Sequence, residues 1–467
     1  MKKVNYLIVL MVFSILSISA QELNYVKNEV LIQLEKNYSA EELVANTRNS
    51  EFVLNEPELI SKHSNIWKLS FTSISETISE EQVIKNLYAN ENVLIAQKNH
   101  KLSNRVTPND TRIDQQWQYF QTNDKDIDAL EAWDITTGGT TANGHEIVVA
   151  IIDDGIDLQH QDMVDNLWTN EGEIANNGID DDGNGYIDDK RGWDSYNGSD
   201  NVSIGGGHGT PVAGIVGAKG NNDRGVAGVN WDVKLMIIRG GGEESLALRA
   251  YSYIYDNRKL YNDTNGQKGA FIVASNASWG TDRGQPADAP LWCNFYNTLG
   301  EVGVLNAGAT ANRNFNIDEV GDLPTACPSE YLIAVTNTDQ SDVKINQAGY
   351  GVETIDLGAP GQGTFTVADN NRYGGFGGTS GATPHVTGAI ALLYSAPSMA
   401  FAELAINNPA EAALKVREYI LSSVDPNSSL EGITATGGRL NVNESLLALF
   451  NDQTLSINDT NLSLIHI

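Results

Sequence analysis

Three stretches of the chain abandon the usual interleaving of apolar and polar residues and become apolar on nearly every side. The first, Ile147-Val148-Val149-Ala150-Ile151-Ile152, ends in Asp153-Asp154-Gly155. A short apolar run closed by an acidic turn predicts a strand buried on both faces, as in a parallel sheet. The second, Val212-Ala213-Gly214-Ile215-Val216, follows Gly206-Gly207-His208-Gly209-Thr210-Pro211 and predicts a buried helix. The third, Val386 with Ala389, Ile390, Leu392 and Leu393, follows the glycine-rich Gly377-Gly378-Thr379-Ser380-Gly381 and predicts another. Pro384 is expected in the first turn of that helix, where a missing N–H costs nothing. Ser380 then stands at the helix N-terminus, where free N–H groups and the helix dipole favour developing negative charge. Taken alone, a Gly-Thr-Ser here would be an N-capping serine on a core helix.

Further strands are expected at Phe271–Asn276 and Ile333–Thr336, and a helix opening at Asn408-Pro409 runs through Val416 and Ile420. Strands alternating with helices predict an α/β, three-layer fold around a mainly parallel central sheet. The region before it reads differently. Val30–Leu34 and Trp67–Phe71 alternate as strands, Ser79 caps a helix reaching Ala89, and Val93–Gln97 is another strand. Residues 21–104 thus form a small α+β unit, and residues 105–449 the large domain.

Composition narrows the setting. Sixty acidic against 30 basic residues give a formal net charge of -30, which argues against a nucleic-acid partner and suits calcium, high salt or solubility. Met1-Lys2-Lys3, an apolar run from Tyr6 to Leu16 and Ser17-Ile18-Ser19-Ala20 have the form of a secretory signal peptide over residues 1–20. No later stretch approaches the roughly 18–20 apolar residues that span a bilayer. A secreted, monomeric protein without a membrane span is expected. Its two cysteines, Cys293 and Cys327, read as one disulfide, with two buried thiols as the alternative.

Asp180-Asp181-Asp182-Gly183-Asn184-Gly185-Tyr186-Ile187-Asp188-Asp189 places oxygens at alternate positions around a glycine turn. Asp180, Asp182, Asn184, the Tyr186 carbonyl and Asp188 follow the coordinating half of an EF-hand loop, predicting structural calcium. Arg191 replaces the bidentate acid that would complete the loop, and Asp189 competes with Asp188 as a ligand. The bland reading is a solvated acidic turn. No H-E-x-x-H string points to zinc.

The string from Gly378 to Gly388 resembles the serine-nucleophile signature of the subtilisin-like serine proteases, GTSxAxPxVxG. His208-Gly209-Thr210-Pro211-Val212-Ala213-Gly214 resembles the family's HGTxVAG, and the strand ending in Asp153 its aspartate motif. The order Asp, His, Ser is that of this fold. The resemblance implies Ser380 as nucleophile, His208 as general base and Asp153 as its orienter, with Asp154 a turn residue and His385 outside the chemistry. It places Ser278, Trp279 and Gly280 along the substrate groove and Asn312 as oxyanion donor, with Asn306 an alternative. Thr310-Ala311 before Asn312 departs from the family's Ala-Gly. The family also implies that residues 21–104 are an inhibitory prodomain that assists folding and is cut off near Lys98–Arg105; a permanent accessory domain is the alternative. The proposed Cys293–Cys327 bridge would brace the oxyanion region. Residues 450–467 form a short tail, read as the stub of a C-terminal module. Protein or peptide substrates are expected. A catalytically dead calcium-dependent binding protein and a narrow-specificity processing protease are the competing readings.

Overall fold

The apolar run before Asp153 forms the strand Val148–Asp153, which lies within a nine-stranded sheet. From one edge the order is Asp425–Pro426, Gly438–Arg439, Leu357–Pro360, Leu332–Thr338, Leu305–Ala309, Ile272–Ala277, Val148–Asp153, Lys234–Arg239 and Trp193–Asp194. Neighbours pair parallel except the first two, which are antiparallel. The structure, a computed structural model, describes residues 25–47, 51–74, 78–100 and 107–455. The expected signal segment lies outside these residues, as do residues 101–105 of the expected junction and the tail beyond 455.

Both faces of the sheet are covered, which is why its central strand is apolar without alternation. Val149 and Ile151 face a core shared with the helices Gly209–Gly217 and Thr379–Tyr394. Val148, Ala150 and Ile152 face a second core with the helices Glu244–Asp263 and Pro290–Glu301. The three-layer α/β expectation holds. Cys293 and Cys327 are joined as a disulfide, tying the Pro290–Glu301 helix to the loop after the strand Asp322–Leu323.

The chain divides into two compact units, Met1–Asn104 and Arg105–Ile467. In the first, the strands Tyr25–Leu34, Ile66–Ser73 and Val93–His100 form a sheet with two shorter strands. Val30, Ile32 and Leu34 alternate into its core with Leu69, Phe71, Val83 and Leu87. Ser79 and Gln82 make a capping box on the helix Glu80–Leu87. A second helix, Ala40–Asn46, was absent from the pattern reading, although Ser39 and Glu42 carry the same capping signature.

Pro384 departs from expectation. The serine helix runs Thr379–Tyr394, so Pro384 is its sixth residue and lies beyond the first turn. Its missing N–H leaves the Ser380 carbonyl, four residues earlier, without a helical donor. The Ser278 hydroxyl supplies one instead, at 3.2 Å. A strand neighbour thereby satisfies what the helix cannot.

The same helix depends on a small residue at Gly388, where an added Cβ would meet Val229 Cβ at 2.6 Å. Gly388→Ala gains about 1 kcal/mol of helix propensity, but overpacking a rigid core costs about 1–3 kcal/mol. With backbone-anchored atoms this close, the second effect is expected to win. Denaturant unfolding should show a net loss of up to about 2 kcal/mol, and Gly374→Ala, which meets nothing within 4 Å, should show none. Equal stability of the two variants would mean that the helix and the Val229 segment part without cost.

Candidate active site

Asp153 ends its strand at the C-terminal edge of the parallel sheet, where open α/β sheets leave room for a site. His208 is the residue before the buried Gly209–Gly217 helix, and its ring Nδ1–H donates to Asp153 Oδ1 across 2.8 Å. Burial works to depress the His208 pKa, but the bond to Asp153 and the charges of Asp153 and Asp154 outweigh it, leaving it above its ordinary 6.5. Burial raises the Asp153 carboxyl, opposed by the same histidine. The pair holds the ring with Nε2 free to exchange a proton.

Asp154 does more than turn the chain. Its Oδ1 accepts from the N–H groups of Gly206 and Gly209, at 3.2 and 2.8 Å, and its Oδ2 from His208 N–H at 3.3 Å. It therefore clamps the loop that carries the histidine. The doublet Asp153-Asp154 was the available signal.

Ser380, the second residue of its helix, is buried and lines a pocket of about 280 Å³ with Ser278, Trp279, Gly280 and Asn312. Its Oγ donates to the Ser278 carbonyl at 3.0 Å; among the described residues no bond joins it to His208. Such bonds are often long in resting structures and tighten around substrate. Phe376 connects the two halves of the site, its ring 5.3 Å from that of His208 and its backbone four residues before Ser380. Gly378 caps the helix at φ 85°, and a Cβ there would meet Asn312 Oδ1 at 2.8 Å. Only glycine suits that position.

Asn312 Oδ1 accepts from the Thr379 N–H and hydroxyl at 3.0 and 3.2 Å, which orients the side chain and leaves Nδ2 for the pocket. Asn306 is fully engaged elsewhere. It accepts from Ser275 Oγ and donates to the Val304 and Tyr331 carbonyls. His385 is buried; its Nδ1–H donates to the Gly381 carbonyl at 2.8 Å, and burial lowers its pKa to about 4, so it stays neutral in the core.

In the acidic loop, Asp180, Asp188 and Asn184 accept from the loop's own N–H groups. Asp180 accepts from the N–H groups of Gly183, Asn184 and Gly185, and Asp188 from those of Asn177 and Gly178. Asn184 Oδ1 accepts from Tyr186 N–H, while its amide donates to Asp189. The group whose oxygens converge within 4.8 Å among the described residues is Glu173, Asp182 and Asp189, all buried. Glu173 Oε2 has no hydrogen-bond partner there. Burial, reinforced by the Asp182 charge, pushes the Asp189 carboxyl up to about 6. Hard oxygen donors and an orphaned buried carboxylate oxygen fit a divalent cation. Glu173 stands outside the alternating loop pattern, so spacing could not reveal it.

This fold and constellation define a serine-type endopeptidase. The chain belongs to the subtilase family, whose sequence profile matches residues 144–440. It is similar to the thermophilic serine proteinase of Bacillus sp. strain AK1, 28% identical over 386 residues and 81% of each chain. It is 30% identical over 346 residues to an extracellular protease of Xanthomonas campestris pv. campestris, covering 70% of this chain and 56% of that one. Thermitase of Thermoactinomyces vulgaris is 28% identical over 298 residues, 62% of this chain and 86% of the relative. Among solved structures, a protease from Pseudoalteromonas arctica shares the fold with a TM-score of 0.51 at 22% identity, over 73% of this chain and 99% of that one.

The contact between His208 and Asp153 predicts a titration. NMR of the His208 ring should give a pKa above 6.5, and Asp153→Asn should lower it by about 1–3 pH units, because the imidazolium loses its anion. An unchanged pKa in the variant would mean the contact carries no electrostatic weight.

Proposed function

We propose that the chain is a secreted, calcium-stabilised endopeptidase that cleaves peptide bonds through an acyl-enzyme formed on Ser380. His208 takes the Ser380 proton as the hydroxyl attacks the scissile carbonyl, and later returns it to the leaving amine. Asp153 holds the imidazole and stabilises its charged form. The developing oxyanion is met by Asn312 Nδ2 and the N-terminus of the serine helix. Ser278, Trp279 and Gly280 offer main-chain groups with which an extended substrate pairs as an added strand. The observation that carries this reading is the 2.8 Å contact of His208 with Asp153, together with a helix-terminal serine in the adjoining groove.

Residues 21–104 act in this proposal as a prodomain that assists folding and inhibits the enzyme until it is removed. Their place before the peptidase domain and their compact α+β core support it. Export is supported by the signal-like residues 1–20; no single described helix is long and apolar enough to cross a membrane. Glu173, Asp182 and Asp189 would hold the calcium, which neutralises their mutual repulsion and stiffens the loop.

Fluorophosphonate labelling and casein hydrolysis of the calcium-loaded protein, beside Ser380→Ala, test the chemistry. Wild type should label and hydrolyse, while the variant should do neither and keep residues 21–104 attached. A folded, processed wild type that takes no label would favour a binding protein on the same fold.

Calcium at about 100 times its Kd should stabilise the protein by about 2.7 kcal/mol. Calorimetry should show a matching rise in Tm that Glu173→Gln reduces. The same Tm in calcium and in EGTA would exclude the site.

A further inference from the structure

The pocket beside Ser380 has an acidic floor that the peptidase chemistry does not use. It lies at the C-terminal ends of two neighbouring parallel strands, Ile272–Ala277 and Leu305–Ala309, with Gly280, Ala309 and Ala311 among its walls. The strand Asp322–Leu323 pairs antiparallel with Thr281–Asp282, and the register sets Asp322 directly opposite Asp282. Opposed residues in such a pair point to one face, and both of these line the pocket. Like charges so placed destabilise one another unless a cation joins them.

Asp322 is only 1% exposed. Thr325 Oγ1, Ala311 N–H and Thr310 Oγ1 all donate to its Oδ2, at 2.7, 2.9 and 3.3 Å. The carboxylate is thus fixed, with Oδ1 outside this set of bonds. Burial, eased by those donors and reinforced by the Asp282 charge, pushes its pKa up to about 7. Arg313 also lines the pocket, its Nε 3.6 Å from Asp282, but their side chains are 68% and 53% exposed, so the pair is screened and weak. Among the described residues no basic side chain pairs with Asp322.

We propose that Asp322 is the specificity-determining residue of this pocket, and that the enzyme prefers substrates with arginine or lysine on the acyl side of the scissile bond. This rests on the peptidase reading, since the residue whose carbonyl Ser380 attacks sets its side chain into the cavity opening there. Small-residue walls suit an unbranched aliphatic stem, and the floor suits its cationic end. An aromatic or aliphatic side chain would fill the cavity without bringing a charge to offset Asp322 and Asp282, which is a basis for rejection.

Four fluorogenic peptides differing only in Arg, Lys, Phe or Leu before the scissile bond test this, with active sites counted by fluorophosphonate. For wild type, kcat/KM should be at least ~30-fold higher for Arg and Lys than for Phe and Leu. Asp322→Asn keeps an acceptor for the three donors but loses the charge, and should cut the Arg-to-Phe ratio by on the order of 10². Benzamidine should compete in wild type and lose potency in the variant. A labelled wild type that prefers Phe or Leu overturns the proposal, as does a variant that loses all four substrates equally, the mark of a structural role. If the variant does not fold, wild-type preference and benzamidine competition decide alone. A wild type that neither labels nor cleaves overturns the peptidase reading itself, and this proposal with it.

Discussion

A 16-residue helix buried along its whole length has no solvent to satisfy any polar group that its own ladder misses. That constraint explains most of the chemistry around Ser380. Pro384 removes one donor, and Ser278 restores it from outside the helix. Thr383 donates to the Thr379 carbonyl, His385 to that of Gly381, and Thr387 to Asn276, whose amide in turn reaches Ser278. The threonines, Ser380 and His385 Nδ1 are thus committed to backbone or to neighbouring strands, while His385 Nε2 and the Tyr394 hydroxyl are buried without a partner among the described residues. Ser380 is held by the sheet as well as by its helix, which is the kind of support that keeps a reacting group in place.

Much of this was legible in the sequence, because the demands are local. An apolar run on both faces of a strand, a histidine before a helix of small residues and a glycine-rich turn into a buried helix each carry their own pattern. Pro384 was misplaced for a physical reason. Sequence rules put proline in a first turn because they assume that a freed carbonyl finds no partner, and Ser278 lies 102 residues away. Glu173 was invisible for the same reason: it reaches the acidic loop through the fold, not through the alternation that flagged Asp180 and Asp188. Asp154 was legible as a turn, while its clamp on the histidine loop spans more than 50 residues.

The departure at Thr310 has a structural account. Its hydroxyl donates to Asp322, so the residue that differs from the family pattern beside Asn312 belongs to the network that fixes the pocket floor. Thr325 donates to the same oxygen. The Cys293–Cys327 disulfide, two residues further on, holds that loop to a helix packed on the sheet. Floor, walls and brace form one connected piece.

Buried acids give this piece its meaning. In a chain of formal charge -30, the wider field works against keeping any carboxylate ionised out of water. Each buried acid must find something to offset that cost, and the solutions differ. Asp153 has a histidine at 2.8 Å. Asp194 has the guanidinium of Arg239 at 3.1 Å. Asp322 has neutral donors on one oxygen and a second acid across the strand pair, an arrangement that favours its protonated form in isolation and its carboxylate around a cation. For a site adjoining a nucleophile, the cation that arrives and leaves with each turnover is the one the substrate carries.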